Sequence, residues 1–108
     1  MLDRLVEISP RAAILEAWIE LEQVLFQLAE GYQLKAKNPL HVIKFLTEKG
    51  VISKDFSQTL HEVRRLRNDA SHVPDFVVEE KEAQNFINLS SAIRLLLVDM
   101  STVESVHS

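Results

Sequence analysis

The residues best equipped for chemistry are Arg67, Asn68, Ser71 and His72, in the run Arg67-Asn68-Asp69-Ala70-Ser71-His72, with Arg64 and Arg65 a turn upstream. Together they supply fixed positive charge, a hydrogen-bonding amide and an imidazole that can carry a proton near neutral pH. Such groups suffice to handle a phosphate without a metal ion. The same residues could also form a charged helix end and nothing more.

The elements that must position this run are helical. Ser9-Pro10 reads as a helix start, because a serine oxygen caps a free N–H and proline suits the first helical position. Ile14, Trp18, Leu21, Leu25 and Leu28 recur at alternating spacings of four and three, with Leu15, Ile19 and Phe26 beside them. This stripe predicts a first long helix from Pro10 to about Leu34 that runs the length of the domain. Trp18 belongs to it as a packing residue. Asn38-Pro39 repeats the start signal, and Val42, Ile43, Phe45 and Leu46 predict a short helix ending near Gly50 in a left-handed cap.

Ser53 opens a third helix, of medium length, carrying Phe56, Leu60, Val63, Leu66 and Ala70. It should stop near His72, because Pro74 disfavours helical geometry at Val73. A loop through Asp75 and Phe76 leads to a second long helix from about Glu79 to Met100, with Phe86, Leu89, Ile93, Leu96 and Met100 as its stripe. Leu95, Leu97 and Val98 make its second half apolar all round, which calls for burial on every side. Residues 1–8 read as a lead and 101–108 as a frayed tail. The expected fold class is all-α: a single-domain, up-and-down bundle of about four helices, two long, one medium and one short.

Composition agrees. The 108 residues are 46% hydrophobic with only two glycines and three prolines, which disfavours a turn-rich all-β fold. Cysteine is absent, so there is no disulfide, thiolate metal site or cysteine nucleophile, and a cytoplasmic location is the default. His41, His61 and His107 are not spaced with Asp or Glu as metal ligands, and no cofactor is expected. No apolar run approaches the roughly 18 residues that span a bilayer, and Met1-Leu2-Asp3-Arg4 does not resemble a signal peptide. A net charge of -4 argues against a broadly electrostatic nucleic-acid binder, so any RNA contact must be local. The one concentrated basic spot is Arg64, Arg65 and Arg67.

On a helix advancing about 100 degrees per residue, Arg67 falls within the arc set by Phe56, Leu60, Val63, Leu66 and Ala70, while His61, Arg64, Asn68 and His72 gather on the polar side. An arginine on a buried arc must be paired or aimed into a groove. The structural alternative is an ion pair with Glu20 or Glu82. For Asn68 and His72 it is hydrogen bonding to free helix-end carbonyls, and Arg65 with Asp69 reads as an exposed i,i+4 pair. Arg67 and His72 lie about 140 degrees apart on an ideal helix and do not stack on each other, so bracketing a phosphate requires the long arginine to reach around, helped by unwinding before Pro74 or by a second subunit closing the groove. The surplus apolar width of the long helices points to a C2 homodimer, which would also close the site.

An arginine, a polar residue, three further residues and a histidine at the end of a helix in a small all-α domain resembles the signature of the HEPN superfamily (higher eukaryotes and prokaryotes nucleotide-binding). The wider run Gly50-Val51-Ile52-Ser53, Leu60 through Leu66, and Leu66 through His72 is similar to a largely uncharacterised bacterial branch of it. The resemblance covers about Pro10 to Met100. It implies a dimerising helical bundle in which two motif copies face one groove and, in active members, a metal-independent endoribonuclease. Carried over, His72 would be the general acid or base, Arg67 would stabilise charge on the phosphoryl oxygens, and Asn68 would orient the phosphate or His72. Arg64, Arg65 and Ser71 would bind the substrate. The alternative is a noncatalytic dimerising interaction or ligand-binding module holding a nucleotide or a partner protein, or a fragment of a larger, membrane-attached protein.

Overall fold

The computed structural model describes residues 2–73 and 77–107, with side chains for all of these except Asp3 and 101–107. The expected loop through Pro74, Asp75 and Phe76 lies outside the described residues. The described chain is all-helical, a bundle of five helices with no strand: α1 (Leu2–Ile8), α2 (Pro10–Gly31), α3 (Pro39–Glu48), α4 (Lys54–His72) and α5 (Glu80–His107).

The start signals act as their chemistry dictates. Ser9 Oγ accepts from the Ala12 N–H at 3.2 Å with Pro10 in the first turn, Asn38 Oδ1 accepts from His41 N–H at 2.9 Å, and Ser53 Oγ accepts from Phe56 N–H at 3.1 Å. Each bond satisfies a donor that the helix start leaves free. The stops close by a shared pattern. Gly50, at φ 74, follows α3, and the Val51 N–H returns to Leu46 C=O at 2.9 Å while the Gly50 N–H reaches Thr47 C=O at 3.1 Å. Gln33, at φ 62, plays the same part after α2, with Leu34 N–H bonded to Ala29 C=O at 3.0 Å. Both are Schellman closures. The second ends α2 at Gly31 rather than at the expected Leu34.

Three other expectations are corrected. The lead is a fifth helix, because Val6 is buried and Leu2 and Leu5 pack against the core, so α1 gains apolar cover that an extended lead would forfeit. The last helix continues past Met100 to His107, through the stretch expected to fray. At about 1.5 Å per residue its 28 residues, not α2, match the 44 Å long axis of the molecule.

Helix α2 is the hub, packed against each of the other four helices. Its predicted stripe is the core: Ile14, Trp18, Leu21, Leu25 and Leu28 are all buried, against Val42, Ile43 and Leu46 of α3 and Leu60 and Val63 of α4. Burying each such side chain stabilises the fold by about 1.5–3 kcal/mol. The indole N–H of Trp18 donates to Glu22 Oε2 at 2.8 Å, so its one polar atom is satisfied. On α5 the buried face is Ala83, Phe86, Ile87, Ser90, Ile93 and Leu97. This face is rotated from the expected stripe. Leu89 and Leu96 are exposed, as are Leu95 and Val98, so the stretch from Leu89 to Met100 is covered on one side only. The apolar width of α5 exceeds what α2 can cover. Helices α4 and α5 both rest on α2 and touch one another little, which leaves an apolar groove between them lined by Val63, Leu66, Phe86 and Leu89.

Among the described residues, no helix is long and apolar enough to cross a membrane.

Candidate functional site

Helix α4 stays helical through His72, so the motif is carried on one regular, unbroken scaffold. Its buried face, Ser57, Leu60, Val63 and Ala70, seats the helix on α2 and α3 and thereby fixes which residues point outward. Arg64, Arg67 and Asn68 are half-buried, whereas Arg65, Ser71 and His72 are exposed.

Arg67, expected within the apolar arc, is half-buried. Its Nη1 donates to Asn68 Oδ1 at 3.2 Å, and its Nε is buried without a hydrogen-bond partner among the described residues. The anticipated ion pair is absent: Glu20 instead approaches Arg94 of α5 at 3.7 Å, and neither Glu82 nor another described carboxylate pairs with Arg67. A guanidinium that is part-buried and without a carboxylate partner has the donors that a planar, two-oxygen anion would need.

The end of α4 is held from elsewhere. Arg11, in the first turn of α2, donates through Nε to Ala70 C=O and through Nη2 to Val73 C=O at 2.9 Å. The Val73 N–H bonds Asp69 C=O at 3.0 Å. Carbonyls that Asn68 and His72 were expected to satisfy are thus taken by Arg11, whose charge also suits a helix C-terminus. His72 and Ser71 form no side-chain hydrogen bond or ion pair among the described residues, so both remain available at the surface. The Arg65–Asp69 pair does not form either. At an exposed i,i+4 position its attraction is worth a few tenths of a kcal/mol and does not hold two mobile side chains together.

On the outer face of α4, Arg64, Arg65 and Asn68 border a shallow depression of about 330 Å³ together with Gln58, His61 and Glu62. His61 falls on this polar face by its helical position, although the motif itself does not include it. Its spacing of seven residues from Asn68 was the available signal, being two helical turns. Arg11 gave no local signal, since its role depends on how α2 meets α4. The structure thus joins Arg67 to Asn68, and Asn68 to Arg64 and Arg65. It does not join Arg67 to His72, which the intact helix keeps on different faces. Among the described residues no cluster of three or more His, Asp or Glu side chains is placed to hold a metal ion.

The fold and this face define an all-α helical-bundle domain with a basic, amide-bearing surface on its fourth helix. The chain belongs to the family described as Domain of unknown function (DUF4145), whose sequence model matches residues 2–105. No curated protein and no solved structure matches it significantly.

Proposed function

We propose that this domain is a HEPN-like RNA-binding module that, as a homodimer, cleaves single-stranded RNA without a metal ion. The observation that carries this reading is Arg67: a part-buried guanidinium with no carboxylate partner, bonded to Asn68 and lying little more than one helical turn from an unengaged His72. In the proposed reaction the ribose 2′-oxygen attacks the adjacent phosphorus, the bond to the 5′-oxygen breaks, and a 2′,3′-cyclic phosphate remains. His72 takes the 2′-hydroxyl proton and returns it to the leaving 5′-oxygen. Arg67 and Asn68 donate to the phosphoryl oxygens as charge builds on them. Arg64, Arg65 and Ser71 hold the neighbouring backbone.

The same geometry supports a dimer. The helix keeps Arg67 and His72 on different faces, and a second copy would complete the site. Apolar side chains are exposed at this end of the bundle: Ile8 at 79%, three residues ahead of Arg11, and Val77 at 84%, beyond Val73. Cleavage requires RNA within reach, and we set the domain in the cytoplasm.

The test is incubation of purified protein with labelled single-stranded RNA in excess chelator, with product ends identified by mass spectrometry. Cutting that leaves cyclic phosphate ends supports the reading; intact RNA across protein concentrations that populate the dimer refutes the enzyme.

The second reading, a noncatalytic module that holds a partner protein or ligand, is favoured by the apolar groove between α4 and α5, where Val63, Leu66, Phe86 and Leu89 stand ready to take an apolar side chain.

A further inference from the structure

His61 belongs to two adjoining depressions. One is the basic face already described, with Arg64, Arg65 and Asn68. The other lies between α3 and α4, where His61 meets Leu40, Lys44, Thr47, Glu48 and Ser57. The two make one continuous surface path. From Asn68 to His61 it follows α4 for 7 residues, about 10 Å at about 1.5 Å per residue, and then it crosses to Lys44 on α3.

Cations and amides predominate along this path. On α4, Arg64, Arg65, Asn68, His61 and His72 occupy one side of the helix, with Glu62 bordering the same depression and Asp69 beside that side. On α3, Lys44 is exposed on the same path, with Glu48 at its border. In a chain of net charge -4, a linear row of cations and amides is a local exception. Its linearity matters, because a compact phosphate ligand needs one cluster, whereas successive cations at helical spacing match a polyanion with regularly repeated charge. The stretch along α4, about 10 Å long, accommodates about three phosphates at about 3.4 Å per phosphate of a stacked strand, and the crossing to Lys44 extends it. No Phe, Tyr or Trp borders the two depressions and His61 is the one ring they share, so the path offers mainly cations and amides to the backbone.

We propose that this path is an extended subsite for the sugar-phosphate backbone of a single RNA strand, running from the Arg67-Asn68-His72 motif past His61 to Lys44. The inference rests on the RNA reading above and deepens it. It assigns Lys44 and His61 to substrate binding and makes affinity depend on strand length more than on sequence.

The experiment measures binding of 2′-O-methyl RNA, which lacks the attacking hydroxyl and is not cut, as a strand of about twelve nucleotides and as a dinucleotide, over a range of salt concentration. The wild type is expected to bind the longer strand more tightly. Lys44→Glu should weaken its binding by about fivefold or more and reduce the salt slope by about 0.7, the share of one neutralised phosphate on a single strand. Lys35→Glu, beside a separate depression with Phe26 and Leu34, is the control and should leave the slope unchanged. Melting curves confirm that each exposed substitution leaves the fold intact. Equal affinity for both lengths, or equal losses for Lys44→Glu and Lys35→Glu, overturns the extended subsite while leaving cleavage at the motif standing. Failure to bind either RNA overturns both readings.

Discussion

The guanidinium of Arg67 donates from Nη1 to Oδ1 of Asn68 across 3.2 Å. This bond occupies the amide's acceptor and leaves its NH2 group, a donor, free to face outward. Arginine and asparagine together therefore present donors, which suits an incoming anion. Replacing the amide with a carboxylate reverses that. Asn68→Asp would place a negative charge against Arg67, neutralise the guanidinium and repel phosphate. RNA cleavage should fall by two orders of magnitude or more, about the loss seen when one transition-state donor is removed, while the melting temperature holds or rises. Single-turnover cleavage and a thermal melt on the same preparation check both halves.

Arg11 provides a different kind of test, because its effect is on position and stability. Its two bonds to Ala70 and Val73 carbonyls tie the end of α4 to the start of α2. Arg11→Ala should cost about 1.5–3 kcal/mol, the usual range for hydrogen bonds from a charged donor. Chemical denaturation measures it as a lower midpoint at unchanged slope.

Two glycines predict opposite signs for one substitution. Gly50 sits at φ 74, and an added Cβ would meet nothing within 4 Å, so Gly50→Ala should destabilise by about 1–2 kcal/mol through backbone strain alone. Gly31 is helical and equally open, so Gly31→Ala should stabilise by about 0.5–1 kcal/mol. Paired denaturant titrations decide the signs.

The proposed dimer makes its own prediction. Ile8 and Val77 are exposed in the protomer, so charging them costs the isolated fold little. Ile8→Glu with Val77→Glu should shift sedimentation toward the monomer and abolish cleavage with helicity unchanged by circular dichroism. Retention of the dimer would place the interface elsewhere.

Much of the fold is legible in the sequence because its signals are local. Ser9, Asn38 and Ser53 cap helices by bonding three residues onward, and Gly50 supplies a backbone conformation rare for other residues. The core stripe of α2 repeats at helical spacing and is buried as read. What was missed depends on packing between elements. Helix α1 forms because Val6 finds cover in the assembled core, and α5 turns Leu97 inward and Leu96 outward according to where α2 lies. At the site, the sequence placed Arg67 within an apolar arc, where it is half-buried, while the alternative of a pair with Glu20 or Glu82 does not form because Glu20 faces Arg94. Arg11 was illegible for the same reason, being 59 residues from Ala70.

The central claim is that Arg67 and His72 act together on a phosphodiester of RNA. The most direct measurement is cleavage of one single-stranded RNA, in chelator, by wild type, Arg67→Ala, His72→Ala and an equimolar mixture of the two variants. Both positions lie on a helix whose end is held by Arg11, and His72 is exposed, so each variant should fold and dimerise. Wild type should cut, neither variant alone should, and the mixture should partly recover, because one mixed dimer carries an intact Arg67 opposite an intact His72. Equal cutting by all four samples, or none by wild type, would contradict the central claim.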